Sequence, residues 1–448
     1  MENGHYRTIA EPVPSKFASI SRYMFMLMAR NFATSQWVFS KDVGGILLRS
    51  VPGCIIASPS VPGDIETNQD YVHFWVRDGA LTVNECVYQN LPSEEMLNDY
   101  VYFSRLVQQN AAQAGKRAHA CFKIDGTLRD WGEQGDGPAL RILSILEIWD
   151  QLSEDAKSVA RTVLSEDQRY INECHQEKTH NAWEEVRGHS FFARAAQRYA
   201  TDRLYRAAAK VGIPPNGNAT TIYNNLSQRL DEHWDEGLGH YRSVLDGETD
   251  GSPLRGHQLN SDLIFACTYA GMPCFDERML RTVAKLREVF EPLYPINAAD
   301  AAIDMGPSIG RYPEDYYDGT PNEGEDGGHP WPLCTGNLAR FYYQCMMELT
   351  AQPSIVITPG MGPFFKQIGC SHTGQISKSS LQYKEVLSAL LTAGDRLMRA
   401  IVRHSDHLEL SEQNDRNTGL CMSVRNLTWS YSSFLAASRT REMAVSAI

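Results

Sequence analysis

The chain has 448 residues, 42% hydrophobic and 21% charged, which is enough apolar material for a large packed core and too much for a disordered or fibrous protein. A formal net charge of -12 with no basic stripe repels a phosphate backbone over most of the surface and argues against nucleic acid as a partner. A neutral substrate such as a sugar is indifferent to that charge; directional hydrogen bonds and aromatic faces hold it, and eight Trp and twenty Tyr supply the faces.

Taken from the N-terminus, the most apolar early run is Tyr23 to Ala29, followed by Arg30. It is too short to span a membrane and makes a poor signal-peptide core, so the expectation is an intracellular protein, or the processed form of a secreted one, with no membrane partner. The N-x-[S/T] tripeptides at Asn218, Asn225 and Asn426 carry meaning only in a secretory pathway. Ile46 to Ser58, interrupted by Pro52-Gly53, is the clearest strand-like stretch. Beyond it the apolar residues recur at three and four, the helical period. Leu140, Leu143, Leu146 and Trp149 form one such stripe; Phe192, Ala195, Ala196, Tyr199 and Ala207 form another behind Ser190 as N-cap. Cys334, Leu338, Phe341, Tyr342, Cys345, Met346 and Leu349 follow from Pro332, and Tyr383, Val386, Leu387, Leu390, Leu397 and Ile401 close the series. The chain is predominantly α.

Loops rich in Gly, Pro, Asp and Trp separate the helices at Asp130 to Pro138, Gly306 to Pro332 and Ser411 to Asn417. Loops of that length in a compact helical protein usually carry function. No Ser/Thr-rich linker, low-complexity tract or compositional break appears, so one continuous domain over residues 1–448 is expected. The ten cysteines show no C-x-x-C pair and no zinc-ligand spacing. They read as small buried residues, Cys334 and Cys345 on a helical stripe above all, though the even count leaves bridges open. Nothing demands a metal or an organic cofactor.

Charged residues sit beside aromatic and glycine residues in Tyr71 to Asp78, Trp131 to Pro138, Trp183 to Glu185, Arg311 to Asp315 and Ser411-Glu412-Gln413, the last followed by Leu427-Thr-Trp-Ser-Tyr431. Such groupings suit a partly desolvated cleft that stacks and hydrogen-bonds a sugar ring. Hydrolysis of a glycosidic bond needs one protonated carboxyl to donate to the leaving oxygen and one carboxylate to activate water or attack. Glu184 suits the acid: a second negative charge at Glu185 and an apolar flank from Trp183 would raise its pKa. An isolated Glu-Glu pair is most often a solvated surface pair; this one stands among four companion segments.

Those segments resemble the glucoamylases, the catalytic domains of glycoside hydrolase family fifteen. Ile55-Ile-Ala-Ser-Pro-Ser60 with Tyr71-x-x-Phe-Trp-Val-Arg-Asp78 looks like the first signature, and Asp136-Gly-Pro-Ala-Leu-Arg141 like the second. Trp183-Glu-Glu-Val with Ser190-Phe-Phe192 looks like the third, and Gly310-Arg-Tyr-Pro-Glu-Asp315 with Pro330-Trp331 like the fourth. Ser411-Glu-Gln413 with Leu427-Thr-Trp-Ser-Tyr431 looks like the fifth, in the same order over residues 55 to 431. The resemblance implies an all-α fold, a six-hairpin (α/α) barrel with long functional loops at one rim. It also implies an inverting, exo-acting α-glucosidase that releases β-D-glucose from non-reducing ends of α-1,4-linked, and also α-1,6-linked, gluco-oligosaccharides.

By the same resemblance Glu184 is the general acid and Glu412 the base. Arg77 and Asp78 grip the terminal glucose, Arg311 is a second clamp, and Tyr71 is the aromatic beside the reacting ring. Glu185, Trp131 and Trp331 line the first sugar sites, and Trp75 and Trp183 are walls. Trp429 and Tyr431 fit core packing as well as substrate contact, and Asp315 fits a partner for Arg311.

The chain departs from the pattern at Asn181, where the family commonly has Asp, and at Ala182, where it has a larger aliphatic residue. The first removes a charge near the acid; the second puts linkage preference in question. The second signature is contracted at Trp131-Gly-Glu-Gln-Gly-Asp136, the loop from Thr320 to Gly328 is longer and acidic, and no starch-binding module or linker is read after the barrel. A monomer acting on soluble oligosaccharides is therefore expected. The competing expectations are a dextran-, isomaltose- or trehalose-specific glucosidase on the same fold, and a catalytically silent carbohydrate-binding or regulatory barrel.

Overall fold

The computed structural model describes residues 16–62, 69–88, 94–319 and 327–447. The first fifteen residues, and most of the acidic loop that begins at Thr320, lie outside the described residues. Fourteen α-helices and six small antiparallel sheets make up the regular structure that is described.

Each helix read from apolar spacing forms, and its ends have local causes. The Phe192 stripe lies on Phe191–Val211, where the Ser190 hydroxyl accepts from the Ala193 amide at 3.3 Å and Gly212 closes the helix at φ +72°. The Tyr383 stripe lies on Leu381–Arg403 behind Ser380, whose hydroxyl accepts from Tyr383 at 3.2 Å. The Cys334 stripe occupies Pro332–Thr350, with the proline in the first turn, where its missing N–H is harmless. The Leu140 stripe falls on Asp136–Ile148 and ends in a single 3-10 turn at Trp149.

The strand reading of Ile46 to Ser58 holds only for its first four residues. Ile46–Arg49 pairs with Ser40–Val43 in a short hairpin, whereas Ile55 makes only an isolated bridge to Phe32. Pro52 has no N–H to give a ladder, and Gly53 turns the chain at φ +87° so close to Asp99 that a Cβ would stand 2.0 Å from its carbonyl oxygen.

The described residues divide into two compact units, one of residues 16–28, 62, 69, 273–319 and 327–447, the other of residues 29–61, 70–88 and 94–272. In the second, helix Asp136–Ile148 packs against both Val76–Tyr88 and Phe191–Val211 and is buried on nearly every face. Helix Glu154–Cys174 packs on it from outside and buries only Ala156, Ala160, Val163, Leu164, Asp167 and Ile171, one stripe at three and four spacing. In the first unit, Pro332–Thr350 plays the inner part against Leu381–Arg403 and Thr428–Ser446. The last of these carries Ser, Ala and Thr on all sides of its buried length, which is why no stripe marks it in the sequence. All ten cysteines are free thiols, and eight are buried. No helix among the described residues is long and apolar enough to cross a membrane.

One buried ion pair ties three helices of the second unit together. Arg141 grips Asp167 through both edges of its fork, Nε to Oδ2 at 2.7 Å and Nη2 to Oδ1 at 2.6 Å, and Gln108 from helix Glu94–Gln113 donates to the same carboxylate at 2.9 Å. Removing one partner leaves a charge in a place water does not reach. Asp167→Ala is therefore expected to lower unfolding free energy by about 3–5 kcal/mol, while Arg141→Met with Asp167→Leu loses far less, as denaturant titration would measure.

Candidate active site

In the second unit the site grows from a long-range strand pair, a hairpin and a helix start. Phe74–Trp75 pairs with Cys121–Phe122, Trp75 opposite Cys121, and helix Val76–Tyr88 begins at the next residue. Backbone bonds from Ala57 to His73 (2.9 Å) and from Ser58 to Tyr71 (3.2 Å) lay Tyr71 to His73 along the Ile55 to Ser60 segment, joining the two halves of the first signature. Tyr71 then leans on Trp75, ring centroids 5.3 Å apart, and Arg77 and Asp78 occupy the first turn of the helix, buried.

Glu184 sits on the turn between strands Thr179–His180 and Arg187–Ser190. Asn181 builds that turn: its backbone carbonyl accepts from the Glu184 amide at 3.1 Å, and its side-chain Oδ1 accepts from the amides of Glu185 (3.1 Å) and Val186 (3.3 Å). Glu184 itself is held at φ +68°, a conformation disfavoured for a residue with a Cβ. That backbone aims its carboxyl at the tryptophans. Oε1 accepts from the Trp75 indole at 2.9 Å and Oε2 from the Trp131 indole at 2.7 Å, and Arg77 Nη2 lies 3.9 Å from Oε1.

Burial pushes the Glu184 carboxyl up to about 7, against the opposing pull of Arg77 and the two indole donors, with Asp78 adding to the rise. The charge that raises it is thus Asp78, and the apolar flank comes from Trp75 and Trp131. The sequence expectation of Glu185 and Trp183 as the cause is corrected accordingly. Glu185 is exposed, and the Trp183 indole donates to Asn260 at 2.8 Å and packs edge-on to Phe265. The peptide turn rotates these two neighbours away from the direction Glu184 takes.

Arg77 is the hub of the surrounding charges. Its Nη1 donates to Asp136 at 3.2 Å, and its Nε lies 3.9 Å from Asp78, whose carboxyl burial lifts to about 6. Asp262 is fully buried and lifted to about 7, chiefly by burial; the Ser243 hydroxyl lies 2.7 and 2.9 Å from its two oxygens. A guanidinium fixed by acidic partners on this scale is held in one orientation.

The first unit carries the other predicted residues. Glu412 is buried at the start of a hairpin, Gln413–Asn414 paired with Cys421–Met422, and its amide donates to Val424 at 2.8 Å. One carboxylate oxygen, Oε2, accepts from Tyr317 at 3.2 Å and closely from the Ser423 hydroxyl. Arg311 forks onto Asp315 at 2.8 and 2.6 Å and lies among the faces of Tyr312, Tyr317 and Trp331, 4.9 to 5.3 Å from the centroids. Tyr431 is core: its hydroxyl donates to Asn426 and accepts from the Leu410 amide, which braces the segment before Glu412. Trp429 is buried as well.

The structure therefore gathers Tyr71, Trp75, Arg77, Asp78, Trp131 and Glu184 in one unit and brings Arg311, Trp331 and Glu412 into the other. Sequence reasoning did not single out Tyr317, Ser423 or the Ser243–Asp262 pair. Tyr317 stands two residues past the fourth signature. Ser423 could have been found through the turn before it, where Asp415 Oδ1 accepts from the amides of Asn417 (3.0 Å) and Thr418 (2.6 Å), a local sign that the chain doubles back on Glu412. Among the described residues no group of three or more His, Cys, Asp or Glu is arranged to hold a metal ion.

Gly319 guards this arrangement. It adopts φ +66°, and a Cβ there would stand 2.0 Å from the Ser423 hydroxyl and 3.3 Å from that of Tyr317, hydroxyls that donate to Glu412. Gly319→Ala is expected to cut turnover roughly tenfold to a hundredfold by displacing Glu412. Gly374→Ala, at φ +81° with nothing within 4 Å of the new methyl, carries the same backbone strain and should leave turnover unchanged in a side-by-side kcat measurement.

The profile of glycosyl hydrolases family 15 matches residues 41–439. A probable glucoamylase of Schizosaccharomyces pombe is 29% identical over 416 residues, covering 87% of this chain and 85% of that protein. The intracellular, sporulation-specific glucoamylase of Saccharomyces cerevisiae is 26% identical over 442 residues, covering 87% and 79%. Among solved structures, the glucoamylase of Saccharomycopsis fibuligera superposes with a TM-score of 0.82 at 21% identity, covering 100% of this chain and 99% of its own. The Hormoconis resinae enzyme does so at 0.79 and 22%, covering 97% and 74%. These likenesses give the chain the glucoamylase fold, an all-α (α/α) barrel of six hairpins. With nearly its whole length matched, the chain belongs to glycosyl hydrolase family 15 and is a glycoside hydrolase.

Proposed function

We propose that the chain acts as one monomeric catalytic domain, an inverting glucoamylase that removes glucose from the non-reducing ends of soluble α-glucan oligosaccharides. The observation that carries this reading is the seat of Glu184, a carboxyl raised to about 7 by burial yet held at both oxygens by indole N–H groups. A group so placed keeps its proton up to about neutral pH and is aimed, which is what proton donation to a leaving glycosidic oxygen requires.

In the proposed cycle Glu184 delivers its proton to the glycosidic oxygen as the C1–O bond breaks. The electron pair of that bond leaves with the shortened chain as its new hydroxyl. Positive charge develops on the ring carbon and oxygen, where the Tyr71 face and the carboxylates around Arg77 favour it. Glu412 takes a proton from a water whose oxygen bonds to C1 from the opposite side, giving β-glucose. Tyr317 and Ser423 donate to Oε2 of Glu412 and hold its carboxylate in place for that transfer. Solvent exchange then returns the proton to Glu184.

Turnover should decline as pH rises through about 7, because above that value Glu184 has no proton to give. Glu184→Gln and Glu412→Gln should each lower kcat by roughly a hundredfold to ten-thousandfold without unfolding the protein. Proton NMR of the first product from maltotriose and from isomaltotriose reads linkage and anomer together. The β anomer is expected, and an initial α product would overturn the inverting mechanism. Parallel assays on maltose, isomaltose and trehalose set the linkage preference that Asn181 and Ala182 put in question.

A further inference from the structure

Arg129 stands out among the residues around the acid because the resemblance assigns it nothing. It lies on the return limb of a tight hairpin: Lys123 donates to Thr127 at 2.8 Å, Phe122 bridges to Leu128, and the Arg129 amide donates to Cys121 at 3.2 Å. Its carbonyl accepts from His119 Nε2 at 2.9 Å, so the backbone is pinned from both sides. The guanidinium then rests over aromatic faces, its carbon 4.3 Å from the ring centroid of Trp131 and 5.5 Å from that of Trp75. Those two rings meet edge to face, centroids 5.8 Å apart and planes at 90°.

Among the described residues no carboxylate pairs with Arg129; its other side-chain contact is Nη1 to the buried Cys121 sulfur at 3.9 Å. The nearby charged groups are no substitute. Lys41 pairs with Asp70, and His73 is held down to about 4 by burial, with Arg129 and Lys41 adding to the effect. A half-buried cation whose favourable neighbours are two indole faces contributes through those indoles. Both of them donate to Glu184, one to each oxygen.

We infer that Arg129 is a positioning residue for the acid: seated on Trp131 and Trp75, it fixes the angle between the two rings and so aims both N–H donors at Glu184. The inference rests on the reading of Glu184 as the acid. A cation over the π face also draws electron density from the ring and strengthens the N–H as a donor, which favours the ionised carboxylate. Arg77 and Asp78 face Glu184 directly and are untouched by a change at position 129.

The test is Arg129→Met, which keeps length and removes charge, beside Arg129→Lys, Trp131→Phe and the double variant, all assayed on maltose from pH 4 to 9. Arg129→Met should lower kcat about tenfold with KM changed less than threefold, and its alkaline limb should move up by roughly half a pH unit, because the carboxylate loses support. Arg129→Lys should recover most of kcat. Arg129→Met should add little to Trp131→Phe, since the two act through one ring. Full kcat and an unmoved alkaline limb in Arg129→Met would overturn the inference, as would effects that simply add in the double variant. Glu184→Gln is run beside them: if that variant retains full activity the acid assignment itself fails, whereas a silent Glu184→Gln with a fully active Arg129→Met sinks only the role of Arg129.

Discussion

Two indole N–H groups closing on one carboxyl are the constraint from which the proposed chemistry follows. Trp75 and Trp131 reach Glu184 from different segments, one on a strand and one on a loop, and each takes a separate oxygen. Indoles donate but cannot accept or carry charge, so they orient the carboxyl while keeping its surroundings apolar. The result is a group that burial raises and that geometry still fixes, two demands which charged partners would set against each other. The strained backbone of Glu184, held by Asn181, is the local cost of pointing a side chain out of a tight turn toward those rings.

Around that carboxyl, charge is balanced by sharing. Arg77 faces Asp136 closely and Asp78 and Glu184 at longer range, one cation among three acids. Burial resolves the imbalance by favouring protonation, and Asp78 and Asp262 are both lifted well above an ordinary aspartate. A neutral sugar bringing hydroxyl groups can both donate to and accept from such a set, whereas an anionic ligand would meet a surplus of acids.

The segment around Glu412 is built on other terms. Two hydroxyls, of Tyr317 and Ser423, donate to one of its oxygens, Oε2. Hydroxyl donors can rotate as a neighbouring proton moves, which suits the proposed role of a group that gains one. The hairpin that carries Glu412 depends on small residues to make this approach: Ser423 has positive φ, and the bare Cα of Gly319 leaves room for its hydroxyl. The two carboxyls thus differ in what surrounds them more than in what they are.

The sequence by itself determined the helical class, because stripes at three and four spacing are written in the order of residues and need no tertiary contact to be read. Through the resemblance it also carried the candidates for acid and base and the aromatic segments, since a resemblance carries residue types in order. It did not determine what each side chain faces. Glu185 and Trp183 flank Glu184 in the chain and turn elsewhere in space, whereas burial in the fold, with Arg77, Trp131, Asp78 and Trp75 from far off in the chain, sets its pKa. Helix Thr428–Ser446 left no stripe because it is buried on several faces at once. Only the tertiary structure decided these, for a physical reason: burial and hydrogen-bond direction are properties of the folded neighbourhood, and strand register and turn conformation choose that neighbourhood.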